Sequence, residues 1–239
     1  MSSSHTTIRV KFSRPIPIFP LHVAVLMPHA IAPLEIFEPR YRQMISDVLD
    51  GAGLIAMAVF EGDAWKDSYH GRPPIRPAVC VGHIAQHFKY EDGRYAIILQ
   101  GVCRGRISRE LPPSETKLYR EAMIEPVGVD AAEELALDPY RDELSSALET
   151  APLSDLRIAG DTLRHIRNPE IPTSVIIEFL GANLPENESD SEARYRWLAA
   201  GDVHERVQMV TKRMGDLSQL LRRAAPQRKL ETPKGCNWN

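Results

Sequence analysis

The 239-residue sequence has only three cysteines, Cys80, Cys103 and Cys236. Three are too few for a disulfide framework and suit a reducing compartment. Apolar runs approaching the ~20 residues that span a bilayer are missing. Met1-Ser-Ser-Ser-His-Thr-Thr7 has no apolar stretch of the kind a signal peptide carries. These features predict a cytoplasmic globular protein. An excess of one charge is lacking too. With 29 Lys and Arg against 32 Asp and Glu, the net charge is −3, which exerts no global pull toward nucleic acid or an anionic membrane. No G-x-x-x-x-G-K-[S/T] phosphate loop occurs, so ATP-driven work by that device is not expected. No Gly-x-Ser-x-Gly elbow occurs either. Internal repeats and low-complexity tracts are absent as well.

What is present is 43% apolar residues, enough for a real core, and a distinctive opening. From Ile16 to Phe37, three short apolar runs are broken by Pro17, Pro20, Pro28 and Pro33. Proline removes a ladder donor, so these runs read as strand starts, edges and bends of a curled sheet. Tyr41, Met44, Ile45, Val48 and Leu49 then recur at helical spacing. Pro39 stands near the start of that helix and Gly51 at its C-cap. Leu54 to Phe60 reads as a buried strand, and Glu61 to Pro77 as a long surface loop.

Ala78 to Ile107 reads as a meander with an Asp-Gly hairpin turn at Glu91–Arg94. On a regular strand, Val79, Val81, His83, Ala85 and His87 share one face, and Cys80, Ile84 and Phe88 the other. Gly101 and Gly105 mark bulges or sharp bends, and Leu118–Pro126 a last strand. Beyond Gly128 the pattern turns helical. Segments cover Ala131–Thr150 with a break at Pro139, a weaker stretch to Ile166, one starting at Asn168–Thr173, Ser191–Leu198, and a long helix N-capped by Asp202. The expected class is α+β. Residues 1–13 form a flexible start, 14–127 a β lobe, 128–224 a helical lobe and 225–239 a disordered tail.

The order Pro-Ile-Phe-Pro-Leu21, Pro28, Pro33-Leu-x-Ile-Phe37 and Glu-Pro-Arg-Tyr41 resembles the Lon N-terminal family, the substrate-binding domain of ATP-dependent protease La. Val81–Ile84, Tyr95–Ile107 and Asp202–Val207 continue the resemblance, which spans roughly residues 14 to 222. It implies a PUA-like β-pseudobarrel joined to a helical bundle. It also implies recognition of polypeptides: unfolded or specific clients, delivered in trans to a separate ATP-dependent protease or chaperone. The family's ATPase and Ser-Lys peptidase domains have no counterpart in these 239 residues, so neither enzymatic activity nor a cofactor is expected.

Four constellations of residues have the types that chemistry or binding requires. Cys80-x-x-His83-x-x-x-His87 has the residue types of a zinc site. On a straight strand, however, the histidines stand roughly 13 Å apart and Cys80 faces away. The cysteines lie in apolar, strand or tail contexts that do not activate a thiol. Arg104 and Arg106 sit in a basic cluster that offers an alternative reading as nucleic-acid contacts. That cluster lacks interleaved aromatics, and Glu110, Glu115 and Glu121 dilute it. The fourth is a peptide-binding surface. Its candidates are Leu34, Phe37, Arg40 and Tyr41 around the proline-broken strands, with Arg40 expected to be exposed. Trp65 and Tyr69 join them from the 61–77 loop. Each apolar member taken singly reads more readily as barrel core, since large apolar residues are usually buried.

Overall fold

The computed structural model describes residues 8, 10–22, 24–128, 131–184 and 191–228. The N-terminal residues 1–7 and 9, and most of the tail expected to be disordered, lie outside this set. The strands are β1 (Ile16–Leu21), β2 (Ile31–Ile36), β3 (Leu54–Val59), β4 (Ala78–Lys89), β5 (Tyr95–Glu110) and β6 (Arg120–Val127). The helices are α1 (Pro39–Leu49), α2 (Trp65–Ser68), α3 (Ala131–Leu135), α4 (Asp138–Glu149), α5 (Arg157–Ile166), α6 (Thr173–Asn183), α7 (Ser191–Ala199) and α8 (Val203–Arg228). The fold is α+β, a mixed sheet with helices. None of the helices among the described residues is long and apolar enough to cross a membrane.

The chain forms two compact units, Met1–Gly128 with Glu186–Gly201, and Val129–Pro185 with Asp202–Asn239. Helix α7, which the sequence groups with the helical lobe, thus belongs to the sheet-bearing unit. Its Tyr195 hydroxyl accepts a 2.9 Å hydrogen bond from the Ala78 amide at the start of β4.

In the first unit the strand order is β2-β5-β4-β3-β1-β6, and β5 also pairs with β6. Five strands therefore close into a ring, and β2 hangs outside it on β5. β1 and β3 run parallel, and the other pairings are antiparallel. The length of β5 makes this possible: Tyr95–Gln100 carries β2, while Arg104–Glu110 carries β6. The prolines of β1 explain themselves in this register. Pro17 is paired only with Glu121 of β6, and Pro20 only with Ala58 of β3, so each lies where the strand has one partner. Ile16, Ile18, Ala56, Ala58, Val79, Val81, Ala122 and Ile124 form one buried cluster of this unit.

Register shifts set which side chains face out. Val102 is an extra residue opposite the Val81–Gly82 step, and Ala85 is an extra residue in β4 opposite Leu99–Ile98. The bulge expected near Gly101 is therefore present. Gly101 itself lies against the chain of Met27, whose carbonyl oxygen would sit 2.0 Å from any added Cβ. Gly105 stays in register with Val79 and Pro126; it marks a close approach, with Ile124 Cγ2 2.4 Å from an added Cβ, rather than a bulge. The α1 helix begins as expected with Pro39 in its first turn. The left-handed residue after it is Gly53 (φ +64°) instead of Gly51. The loop 61–77 holds the short α2, unforeseen in the sequence.

In the second unit, Leu144, Leu148, Ile176, Ile177, Leu180, Val207, Val210 and Met214 are buried. Pro139 starts α4, and the Asp202 carboxylate accepts from the His204 amide at the head of α8, as the sequence predicts. Arg141 donates to the carbonyls of Ile166, Asn168 and Ile171, satisfying acceptors that the end of α5 leaves open. α8 continues through Arg228, past the expected boundary at 225.

Candidate functional site

The side chains that β2, β5 and β4 turn outward form a grid. In register across the three strands lie Ile31, Gln100 and His83, then Pro33, Ile98 and Gln86, then Glu35, Ala96 and Phe88. Residues in register share a face, so this grid is one side of the sheet. Ile31 and Phe88 are 67% and 61% exposed, and Phe37, one step past β2, is 64% exposed. β2 pairs only with β5, which leaves its outer edge open among the described strands.

Phe88 is absent from the sequence candidates for a physical reason. The extra residue Ala85 inverts the alternation of β4 after Ile84. Phe88 therefore joins the face of His83, whereas His87 moves to the face of Ile84. A partial signal lies in Tyr95–Leu99, where both alternating sets are apolar, so one apolar set must face away from the core.

The sequence candidates separate. Of the peptide-binding candidates, Phe37 is the one presented freely to solvent. Leu34 is half-buried, in register with Ile97 on the opposite face of the sheet. Tyr41 is a correction: it is 4% exposed, packed edge-on against Phe19 with ring centroids 4.7 Å apart, and contributes to the core. Arg40 is also corrected, being half-buried rather than exposed. Its guanidinium lies between two tyrosine rings, 4.6 Å from the centroid of Tyr41 and 4.7 Å from that of Tyr69. Nε donates to Glu38 at 3.1 Å and Nη1 to the Tyr69 carbonyl at 3.0 Å. The Tyr69 hydroxyl donates to the other Glu38 oxygen at 2.5 Å. Burial and this bond to a carboxylate both hold the Tyr69 phenol above its usual range.

Tyr69 also ties down the loop. It meets Phe60 and Trp65 edge-on, and Trp65 stacks on His22 with centroids 4.5 Å apart. The base of the loop closes through Glu61 N–H to Pro74 and Arg76 N–H to Val59. Residues 61–77 therefore fold back on the sheet-bearing unit, and Arg40, Tyr41, Trp65 and Tyr69 come together in one cluster.

Arg104 is the sharpest correction. The alternative reading needs it on a solvated face, yet it is 4% exposed. Its Nε donates to the Leu198 carbonyl at 3.2 Å and Nη2 to the Trp197 carbonyl at 3.1 Å. A guanidinium used on buried carbonyls of α7 is not presented to a phosphate. Arg106 is exposed. Burial pushes the Cys103 thiol up to about 11, so at neutral pH it is the protonated, weakly nucleophilic form. Cys80 is buried and His87 exposed, on opposite sides of the inverted strand from His83. Among the described residues no group of three or more His, Cys, Asp and Glu is placed to hold a metal ion.

Comparison with known proteins bears on this arrangement. A model described as the ATP-dependent protease La (LON) substrate-binding domain matches residues 15–216. Lon protease 2 of Sorangium cellulosum is 23% identical over 214 residues, covering 87% of this chain and 25% of that protein. Lon protease of Trichlorobacter lovleyi is 26% identical over 174 residues, covering 72% of this chain and 21% of the relative. The chain thus spans about a quarter or less of these relatives' length. Among solved structures, the Lon N-terminal domain protein from Xanthomonas campestris superposes with a TM-score of 0.56 at 21% identity, covering 83% of this chain and 98% of that one. The N-terminal domain of Mycobacterium avium complex Lon protease gives 0.58 at 16%, covering 85% and 99%. Both share the fold. A match across most of the sequence, on a sheet and helices arranged alike, makes this chain a member of the ATP-dependent protease La (LON) substrate-binding domain family.

Proposed function

We propose that this chain is a non-catalytic polypeptide-recognition module, built as a PUA-like pseudobarrel joined to a helical bundle and working in the cytoplasm. The observation that carries the reading is the outward grid beside an open strand edge. Ile31, Pro33, Ile98, Ala96 and Phe88 supply apolar surface, Phe37 extends it, and β2 offers main-chain groups beside it. An extended segment of an unfolded protein presents both complements, apolar side chains at every second position and free main-chain donors and acceptors. Contiguous exposed apolar surface is otherwise uncommon on a protein that stays apart from others. Pro33, which lacks an amide hydrogen, limits how many bonds β2 can offer a guest, and so favours weak, reversible capture. Family membership supports the same class of ligand. In this reading the chain acts as an adaptor, holding clients for a separate ATP-dependent protease or chaperone.

The test is binding of a permanently unfolded, fluorescently labelled protein, followed by anisotropy after nuclease treatment. Ile31→Ser and Phe88→Ser together are expected to weaken binding by about tenfold or more, the loss of ~1.4 kcal/mol or more of apolar contact. Unchanged binding in that double variant overturns the grid as the contact surface. The adaptor role fails if an ATP-dependent protease degrades such a client at the same rate with and without this chain.

A further inference from the structure

A concave site of a different kind lies wholly within the second unit, between α4, the turn that follows it, and α8. It is a cavity of about 470 Å³, inside the ~300–1,000 Å³ range of small-molecule sites. Leu144, Leu153 and Met214 line it and are buried. Ala147 of α4 and Gly215 of α8 belong to its helical walls.

The space exists because the side chains that could fill it are small. Gly215 lies near the middle of α8, where glycine is the poorest helix former after proline. No close approach requires it there. Among the described residues, nothing beyond its own helix backbone and chain neighbours lies within 4 Å of an added Cβ. A glycine that weakens its helix and relieves no clash leaves a wall open.

The cavity has two different ends. Tyr140, near the start of α4, meets His204, near the start of α8, with ring centroids 6.2 Å apart. Leu153, just past α4, lines the cavity together with Met214, farther along α8, so the two helices run side by side in one sense. Thr211, Gly215, Ser218 and Arg222 follow one another at helical spacing on the face that lines the cavity. Arg222 thus stands three turns beyond Thr211, roughly 16 Å at 1.5 Å per residue. It is exposed, and it is the only cation among the described lining residues. The only carboxylate there, Glu143, comes from the first half of α4 and flanks the stripe of Tyr140, Leu144 and Ala147.

We propose that this cavity binds an amphipathic carboxylic acid, with its hydrocarbon body on Leu144, Leu153 and Met214 and its carboxylate on Arg222. Burial of the hydrocarbon supplies most of the affinity. The planar fork of a guanidinium matches a carboxylate and fixes which end of the ligand lies where. The site stands apart from the outward grid and does not rest on the polypeptide-recognition reading.

The test uses the full chain with octanoate, octanamide and acetate at constant ionic strength, read by calorimetry and by shift of the thermal midpoint. Octanoate is expected to bind on the order of a hundredfold more tightly than acetate, because half of its chain in the cavity suffices for that. Octanamide is expected to bind about threefold or more weakly than octanoate, a modest difference because Arg222 is exposed to solvent. Arg222→Gln, a surface change, is expected to remove that difference and leave octanamide binding as it is. Gly215→Leu fills the cavity and is expected to weaken octanoate binding by about tenfold or more, with the ligand-free midpoint unchanged or raised. The Ile31→Ser, Phe88→Ser double variant is expected to bind octanoate as the wild type does. Octanoate bound no better than acetate, octanamide bound as well as octanoate, or full binding retained by Gly215→Leu overturns the proposal. So does loss of octanoate binding in the double variant, which puts the acid on the outward grid. A concentration-dependent mass that octanoate lowers also overturns it, because a second copy then occupies the cavity.

Discussion

The guanidinium of Arg76 lies 3.4 Å from the ring centroid of Tyr195, although the two residues are more than a hundred positions apart in the sequence. Arg76 also grips Glu192 with both terminal nitrogens, at 2.5 and 3.0 Å. The same Tyr195 accepts the Ala78 amide. One turn of α7 is thus bound to the start of β4 by a stacked cation, a bidentate ion pair and a main-chain hydrogen bond.

Tyr195→Phe keeps the ring under Arg76 and deletes the acceptor. The Ala78 amide is then buried without a partner, and stability is expected to fall by about 1–3 kcal/mol. Urea unfolding followed by tryptophan fluorescence measures this. A change within ~0.3 kcal/mol shows that the bond is replaced by water.

The Arg76–Glu192 pair sets an acid dependence. The Arg76 hydrogen bonds hold the Glu192 carboxyl below its ordinary value of 4.5. A depressed folded-state value means that its contribution is fully present above 4.5 and is lost as pH falls through the lower, folded value. The wild-type thermal midpoint is therefore expected to fall more steeply below pH 4.5 than that of Glu192→Gln. Glu192 is largely exposed, so the difference is small and shrinks with added salt. Parallel midpoint curves for the two proteins contradict the linkage.

Arg104 and Arg106 separate a structural cation from a surface one. Arg104→Met retains the apolar stem but strands the Trp197 and Leu198 carbonyls, with an expected loss of about 2–3 kcal/mol. Arg106→Ala is expected to stay within about 0.5 kcal/mol. Denaturant midpoints of the two variants decide the matter, and equal effects would contradict the assigned burial.

In the second unit, Arg206 Nε lies 3.0 Å from Glu178, with side chains 3% and 7% exposed. Glu178→Ala leaves a buried guanidinium without its counter-charge, and a loss of about 3–5 kcal/mol is expected. Glu178→Leu combined with Arg206→Met is expected to recover most of it, since paired apolar replacements avoid the stranded charge. Thermal unfolding of the single and double variants measures both values.

Much of the α+β fold is legible in the residues because local chemistry and final structure agree there. Pro39 opens α1, Asp202 caps α8, and the Asp-Gly pair turns β4 into β5 with Gly93 at φ +82°. The outward grid is not legible. The place of Phe88 in it depends on one inserted residue, Ala85, whose position is set by pairing with a strand read later in the chain. Arg104 misleads for a similar reason. An arginine in a polar strand looks solvated until a helix more than ninety residues downstream supplies the carbonyls that bury it. Tyr41 falls between the two cases: its period marks it as core, and the structure buries it edge-on against Phe19.

The assignment of α7 to the sheet-bearing unit has a consequence for biosynthesis. The last strand of the ring ends at Val127, but the residues that receive Arg76, Ala78 and Arg104 lie between Glu192 and Leu198. At about 5–20 residues per second, a ribosome needs roughly 4–15 s to make the intervening seventy or so. Throughout that interval the Arg76 and Arg104 guanidiniums and the Ala78 amide lack the partners that α7 later supplies. The sheet-bearing unit is therefore complete only after α7 has been made, well after its last strand.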